Sequence, residues 1–107
     1  MTDQLRIYTI KPGEMDQWVD EWSRLIAPLR RETGFEIVGA WTVEAENKFV
    51  WIIRYEGPKT WQQANQDYYQ SPRRKDMQPD PARHIAGQDT FILAPLPDPP
   101  PASGGRG

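Results

Sequence analysis

Two stretches near the middle of the chain carry apolar residues at every second position, which predicts a β-hairpin with its turn within residues 45–48. The residues that would share one face are Phe35, Ile37, Gly39, Trp41 and Val43 in the first strand and Phe49, Trp51, Ile53 and Tyr55 in the second. Several intervening positions, among them Val38, Val50 and Ile52, are apolar as well. A hairpin covered on one side only would leave them in water, so the pattern predicts a cover for each face.

Amphipathic helices are predicted before and after this hairpin. In the first helix, apolar residues recur at three- and four-residue steps, at Met15, Trp18, Val19, Trp22, Leu25, Ile26 and Leu29. Pro28 lacks an N–H and crowds the preceding turn, so we expect a kink or an early end within residues 24–27. Gly34 suits the position just past the helix end. The second helix is expected to begin at a Thr60 cap and to stop before Pro72.

Short strands at 5–10 and 88–93 complete the set of elements. The order is then strand, helix, strand, strand, helix, strand, which is that of a ferredoxin-like βαββαβ sandwich. This is an α+β fold with a four-stranded antiparallel sheet and both helices on one face. The simplest cover for the other face is the sheet of an identical subunit. We therefore predict a homodimer in which two sheets pack face to face as a dimeric α/β barrel.

Composition limits the number of domains and the class of protein. The chain of 107 residues is long enough for one domain, predicted over 1–95, and the Pro- and Gly-rich residues 96–107 are predicted to form a disordered tail. Cysteine is absent, which excludes disulfides and thiolate chemistry. With 13 basic and 15 acidic residues, nucleic acid is not an expected partner. The chain has no apolar run of membrane-spanning length and no secretory signal pattern, so we expect a cytoplasmic protein without a membrane partner.

Several short segments, taken together, resemble a known family. They are Pro12-Gly13 at the helix start, Pro28 to Arg31 leading into Gly34 and Phe35, Gly39-Ala40-Trp41, and Tyr69-x-Ser71-Pro72-x-Arg74. In this order, over about residues 5–95, the chain resembles the bacterial branch of the NIPSNAP family within the dimeric α/β-barrel superfamily. The resemblance implies a ferredoxin-like fold and a homodimer, and it supplies no shared catalytic motif. Related families include cofactor-free monooxygenases, muconolactone-type isomerases, polyketide cyclases and haem-handling enzymes, and the fold alone does not choose among them.

His84 is the only histidine and the first candidate for a general acid or base, with Tyr55 assisting proton transfer. Because no ionisable partner of His84 is visible in the sequence, a structural or surface role is the favoured alternative. Haem would depend on His84 as its axial ligand. A single histidine without cysteine also gives no metal-ligand spacing, so we expect no metal and no other cofactor.

Five tryptophans and four tyrosines supply material for a binding cleft between the sheet and the helices. The candidate substrate-binding residues are Tyr8, Trp41, Trp51, Tyr68, Tyr69 and Arg74, the last within the basic run 73–75. Core packing is the favoured alternative for Trp18, Trp22 and Trp41, since each falls on a predicted buried stripe. For Arg74 the favoured alternative is a solvated face rather than an anion site.

Arg6 and Arg54 each alternate with apolar residues inside a predicted strand. In one interpretation they lie close together on the sheet face opposite Trp51 and Tyr55, where they would need carboxylate partners. In the favoured one they sit at strand ends and reach water through their long stems.

Two functional classes remain. The favoured one is a small-molecule-binding dimer, of which the most specific form is a cofactor-free oxygenase, isomerase or cyclase acting on an aromatic or polyketide-like metabolite. The alternative is a non-catalytic structural or interaction dimer with a filled core and no ligand pocket. A cavity of about 300 Å³ or more bounded by Tyr8, Trp51, Tyr55, Tyr68 and His84 would favour the first class.

Overall fold

The computed structural model describes residues 1–97, and the predicted tail lies outside the described residues from position 98 onward. Four strands form one sheet: β1 (Thr2–Ile10), β2 (Phe35–Val43), β3 (Lys48–Tyr55) and β4 (Ile85–Leu93). The helical elements are α1 (Met15–Glu21), a π-helical turn (Trp22–Ile26), α2 (Ala27–Glu32), α3 (Trp61–Gln70) and α4 (Pro72–Lys75), with 3₁₀ turns at Glu44–Glu46 and Pro81–His84.

The sheet is antiparallel throughout, with the strand order β2-β3-β1-β4. Helices cover one of its faces, so the predicted ferredoxin-like α+β fold is confirmed. In the register of the two central strands, Arg6 lies opposite Trp51 and Tyr8 lies opposite Phe49. These four side chains therefore point to the same face, which is the one covered by the helices.

Pro28 changes the first helix without ending it. The π-helical turn Trp22–Ile26 comes just before Ala27 and Pro28, and the helix continues to Glu32. A wider turn is one way in which a helix accommodates the missing N–H and the bulk of proline. The predicted irregularity is therefore present, but the early helix end is not. Gly34, with a φ of 98°, follows Thr33 and lets the chain turn into β2.

Polar caps start the later helical elements, at Thr60 as predicted and also at Ser71 and Asp80. The hydroxyl of Thr60 accepts a hydrogen bond from the backbone N–H of Gln63 at 3.1 Å, and that of Ser71 accepts from Arg74 at 3.3 Å. The carboxylate of Asp80 accepts from the backbone N–H of Ala82 at 2.9 Å. These caps fix the points at which the chain re-enters the helical layer above the sheet.

The core between the sheet and the helices is largely aromatic. Trp18 and Trp22 of the first helix pack against Phe49 with ring-centroid distances of 5.5 and 5.1 Å, both edge to face. Tyr8 contacts Trp18 in the same geometry at 5.6 Å. Such contacts stabilise a core beyond the burial of apolar area alone. The prediction that Trp18 and Trp22 are core residues is confirmed.

A β-bulge in β2 overturns the face predicted for Trp41. Ile37 pairs with Ile53 and Gly39 pairs with Ile52, so Val38 is an extra residue in the ladder. Beyond a bulge the side chains change faces. Trp41 therefore pairs with Val50 on the uncovered face and is 52% exposed, and the prediction that it packs in the core is wrong.

The sheet face that residues 1–97 leave uncovered, which we call the open face, is apolar along its centre. Leu5, Ile7, Val50 and Ile52 lie there half-buried by their neighbours, by the alternation of β1 and β3. Exposed apolar side chains extend the surface on both edge strands, at Trp41, Val43 and Phe91.

Candidate functional site

A cavity of about 620 Å³ lies between the covered face of the sheet and the helices. It is bounded by residues from β1, the first helix, β3, α3, α4 and β4. The lining consists of Gln4, Arg6, Tyr8, Trp18, Ile26, Arg30, Trp51, Asn65, Tyr68, Tyr69, Arg74, Ala82, Ile85, Ala86, Gly87, Gln88 and Thr90. Its volume is in the range of small-molecule sites.

Arg6 of β1 is buried on the cavity wall and is held by side chains from two elements. Its Nε donates to Gln4 at 2.7 Å, and its Nη1 donates to the hydroxyl oxygens of Tyr8 at 3.1 Å and Tyr69 at 2.8 Å. Its Nη2 donates to Oδ1 of Asn65 at 3.2 Å. Every one of these partners is neutral, so the hydrogen bonds position the guanidinium without balancing its charge.

Arg30 of α2 is only 1% exposed and shares a partner with Arg6. Its Nη1 donates to the same Oδ1 of Asn65 at 3.0 Å. Its guanidinium carbon lies 3.7 Å from the ring centroid of Tyr68 and 4.6 Å from that of Phe35, which are cation–π contacts. Burial, together with the neighbouring charge of Arg6, lowers the pKa of Arg30 to about 10, so the side chain is still a cation at neutral pH.

The charge of the cavity is therefore positive and largely unbalanced. Among the ion pairs of residues 1–97, neither Arg6 nor Arg30 has a carboxylate partner. Arg74 is paired, with its Nη1 at 3.1 Å from Oδ1 of Asp80. Two buried cations that meet at one amide oxygen repel each other and lack the usual compensation for buried charge.

Hydrogen-bond donors without a protein acceptor are concentrated on the same wall. Within the described part of the chain, the buried donors on the lining that find none are Trp18 Nε1, Trp51 Nε1, Arg30 Nε, Arg74 Nε and the Tyr68 hydroxyl. Buried donors are normally satisfied, so the lining residues carry a surplus of hydrogen-bond donors over acceptors.

Two adjacent tyrosines on α3 have opposite pKa shifts. Burial raises the pKa of Tyr68 above its ordinary value, and Arg30 offsets this only in part. Burial acts in the same direction on Tyr69, but there the charges of Arg6 and Arg30 and the hydrogen bond from Arg6 outweigh it, so its pKa is lowered. Of these two residues, Tyr69 therefore gives up its proton more readily.

A more open groove of about 700 Å³ adjoins the cavity at Gln4 and Asn65, which line both. Trp61 of α3 and Ile92 of β4 form its apolar walls. This groove gives the cavity a continuation toward solvent.

The cavity brings together five of the residues singled out in the sequence as substrate-binding candidates, namely Tyr8, Trp51, Tyr68, Tyr69 and Arg74. Trp41 is not among its lining residues, because the bulge in β2 turns it to the open face.

Neither catalytic candidate from the sequence lines the cavity. The ring of Tyr55 packs 5.2 Å from that of Phe35, and its hydroxyl accepts a hydrogen bond from the backbone N–H of Lys59 at 3.4 Å. His84 is buried, with Nδ1 at 2.7 Å from Oε1 of Glu14 and Nε2 at 3.3 Å from Oε2 of Glu21. These contacts give His84 a structural environment in which it joins the 3₁₀ turn Pro81–His84 to α1.

The two strand arginines lie on opposite faces of the sheet, and both predictions for Arg6 are wrong. Arg6 shares the covered face with Trp51 because the two residues are directly paired, and burial at 4% exposure keeps it from water. Arg54 lies on the open face in a two-bond pair with Asp3, at 2.8 and 3.0 Å.

Besides Arg6 and Asn65, sequence reasoning missed Arg30 as a site residue. It follows Trp22 and Ile26 at steps of four, so it continues the buried stripe of the first helix. From the sequence alone, its position near the helix end indicates only a favourable contact with the helix dipole. The spacing therefore places Arg30 on the buried stripe. Because charged residues are usually exposed, the residue type argued against a buried position.

The described residues contain no group of three or more His, Cys, Asp or Glu side chains arranged to hold a metal ion. Over the same residues, no helix is both long and apolar enough to cross a membrane.

Solved structures with this fold include both NIPSNAP proteins and a monooxygenase. A NIPSNAP domain protein from Burkholderia xenovorans superposes with a TM-score of 0.80 at 16% identity, covering 94% of this chain and 100% of the other. A NIPSNAP family protein of unknown function from Agrobacterium tumefaciens gives 0.78 at 18% identity, covering 94% and 92%. An antibiotic biosynthesis monooxygenase gives 0.63 at 16% identity, covering 91% and 100%. At these identities the likeness shows the fold alone.

The fold is that of a ferredoxin-like α+β domain, with a cavity between its sheet and its helices. The NIPSNAP family model matches residues 3–100, so the chain belongs to the NIPSNAP family. None of the curated proteins searched matches the chain.

Proposed function

We propose that this protein binds a small aromatic or polyketide-like molecule in the cavity between sheet and helices, and that it acts as a homodimer joined through the open face. The observation that carries the proposal is the cavity of about 620 Å³, with aromatic walls and buried donors that have no protein acceptor. Aromatic walls with a few fixed polar groups are the usual composition of a small-molecule site.

The same site supports a cofactor-free oxygenase, isomerase or cyclase as the specific form of this function. Reactions of this type pass through an enolate or phenolate, whose oxygen Arg6 and Arg30 would stabilise in a largely buried site. Tyr69 is placed to exchange a proton with the substrate, because it lies on the cavity wall and its pKa is lowered. In this proposal Tyr69 carries out the proton transfer for which the sequence suggested His84 and Tyr55.

Thermal unfolding against a panel of aromatic and polyketide-like compounds tests the binding function. A ligand at about a hundred times its dissociation constant adds about 2.7 kcal/mol to the free energy of unfolding. For a domain of this size that is a rise in Tm of about 10 °C or more. We expect at least one compound to give such a rise.

A variant that fills the cavity identifies the site. Thr90 lines the cavity and is exposed, so Thr90→Trp should remove the rise without disturbing the core. Glu46→Trp places the same bulk on an exposed turn and should leave it intact. If no compound raises the Tm of the unmodified protein, the protein is better described as a structural dimer. A rise that persists in Thr90→Trp would place the ligand elsewhere.

A further inference from the structure

We propose that the ligand is an acid, a flat aromatic carboxylate whose charged group binds at Arg6 and Arg30. This inference rests on the proposed function, because it names the chemical class of molecule that the same cavity takes.

Two buried positive charges meet in the cavity. Arg6 and Arg30 both donate to Oδ1 of Asn65, at 3.2 and 3.0 Å, so two guanidinium groups meet at one neutral oxygen. Both residues are nine-tenths or more buried, and no carboxylate of residues 1–97 pairs with either. A bound anion would offset the repulsion between them in a region where water screens charge poorly.

The remaining polar groups favour a ligand that accepts hydrogen bonds. The hydroxyl oxygens of Tyr8 and Tyr69 already accept from Arg6, so the hydrogen of each hydroxyl is left to donate. The Tyr68 hydroxyl and the indole N–H groups of Trp18 and Trp51 also lack a protein acceptor. A carboxylate offers two acceptor oxygens and no donor, which matches such a wall.

The walls favour an aromatic carrier for that carboxylate. The rings of Trp51 and Tyr68 border the cavity. The guanidinium carbon of Arg30 lies 3.7 Å from the ring centroid of Tyr68, and those of Arg6 and Arg30 lie 5.8 and 6.0 Å from that of Trp51, so flat groups already approach both rings. A ring conjugated to a carboxylate can pack in the same way. A phosphate dianion is more strongly hydrated and costs more to move into a half-apolar cavity, so the carboxylate is the better match.

Calorimetric titration with naphthoate and with its neutral isostere naphthamide tests the charge directly. We expect naphthoate to bind at least about tenfold more tightly, since a hydrogen bond to a charged group is worth more than its neutral counterpart. Naphthyl phosphate, at the same ring size, tests the alternative anion and should bind less tightly than naphthoate.

Variants assign the preference to the buried pair. Arg30→Met and Arg6→Gln should each reduce naphthoate affinity about tenfold or more while changing naphthamide affinity little. Arg30→Lys keeps the charge and should retain part of the preference. Arg24→Met removes an exposed arginine that is paired with Asp20 at 2.9 Å, away from the cavity, and should change neither affinity.

The outcomes separate this inference from the function on which it rests. Equal binding of naphthoate and naphthamide would overturn the inference and leave the binding function in place. Tighter binding of naphthyl phosphate would overturn the assignment of a carboxylate. Failure of every acid here and of every compound in the thermal panel would overturn both. If a variant does not fold, the ratio of the two affinities in the unmodified protein still decides the question.

Discussion

Arg30 is the residue whose presence the packing of the fold explains least. It occupies a position of the buried stripe where an apolar side chain would serve, and it brings a charge that is 1% exposed. Its contacts with Asn65 and with the ring of Tyr68 offset part of the desolvation, but it has no opposite charge as a partner within residues 1–97. Such a residue fits the proposed ligand site better than a purely structural role.

We therefore predict that Arg30→Met does not destabilise the ligand-free protein. Methionine fills a similar volume and removes a buried charge, so the free energy of unfolding should be unchanged or higher by up to about 2 kcal/mol. Denaturant unfolding measures it, with Arg24→Met as the exposed control. A loss of more than about 2 kcal/mol would mean that Arg30 is a structural residue.

At this scale, residue type in the sequence predicts part of the cavity lining. Tyr8, Tyr68 and Tyr69 were chosen from the sequence because an aromatic ring with a polar tip suits a cleft, and all three line the cavity. Their arginine partners could not be chosen in the same way. Whether a charged side chain on a buried stripe turns inward depends on neighbours such as Asn65, which are distant in sequence.

Among the elements, the 3₁₀ turn Pro81–His84 depends on a buried ionic cluster. Arg83 donates two hydrogen bonds to Glu21 of α1, from Nη1 to Oε1 at 2.8 Å and from Nη2 to Oε2 at 2.7 Å. His84 contacts the same carboxylate at 3.3 Å. The bonds from Arg83 hold the pKa of Glu21 below its usual value, against the opposing effect of burial. The cluster links the 3₁₀ turn Pro81–His84, which leads into β4, to the first helix.

We predict that Glu21→Gln lowers the free energy of unfolding by about 1.5–3 kcal/mol at neutral pH, which is the usual worth of hydrogen bonds to a charged group. Because the folded pKa of Glu21 is depressed, its contribution is present above the unfolded value and is lost as the pH falls through the folded value. The difference between the two proteins should thus shrink in acid.

Denaturant unfolding from pH 7 down to pH 3 measures that difference. Glu46→Gln, on an exposed turn, is the control and should follow the unmodified protein throughout. A difference that stays constant with pH would contradict the role assigned to the charge of Glu21.

The order of elements followed from the sequence, whereas one local irregularity, the bulge in β2, did not. The caps at Thr60, Ser71 and Asp80 are encoded by neighbouring residues and were predictable. The bulge at Val38 is not, because it depends on how β2 is registered against β3. One extra residue there moved Trp41 from the predicted core to the open face.

At the scale of the whole molecule, the open face is the surface left without a cover. Phe91 and Trp41 are each 52% exposed on it, with the half-buried Leu5, Ile7, Val50 and Ile52 between them. An apolar surface spread over four strands is typical of a protein–protein interface. The period-two pattern predicts that this face needs a cover. A second copy of the chain is the simplest candidate, and the family resemblance implies the same homodimer.

Two neighbouring substitutions on β4 test the dimer. Phe91 lies on the open face and Ile92, at 58% exposure, lies on the opposite one, so the two residues form a matched pair. Phe91→Glu should convert the dimer to a monomer, because it buries a charge in the interface, whereas Ile92→Glu should leave it dimeric. Light scattering after gel filtration measures the mass. A monomeric unmodified protein, or dimers of both variants, would contradict the proposed interface.

We propose that the cavity binds an acidic aromatic molecule. The NMR signals of the tryptophan indole N–H groups test this most directly. Trp18 and Trp51 line the cavity with N–H groups that have no protein acceptor, whereas Trp41 lies on the open face. We would titrate the protein with naphthoate and follow the five indole N–H signals by NMR, assigned with Trp→Phe variants. The account predicts shifts for Trp18 and Trp51 and none for Trp41. No shift at Trp18 and Trp51 at millimolar naphthoate, or a shift confined to Trp41, would contradict it.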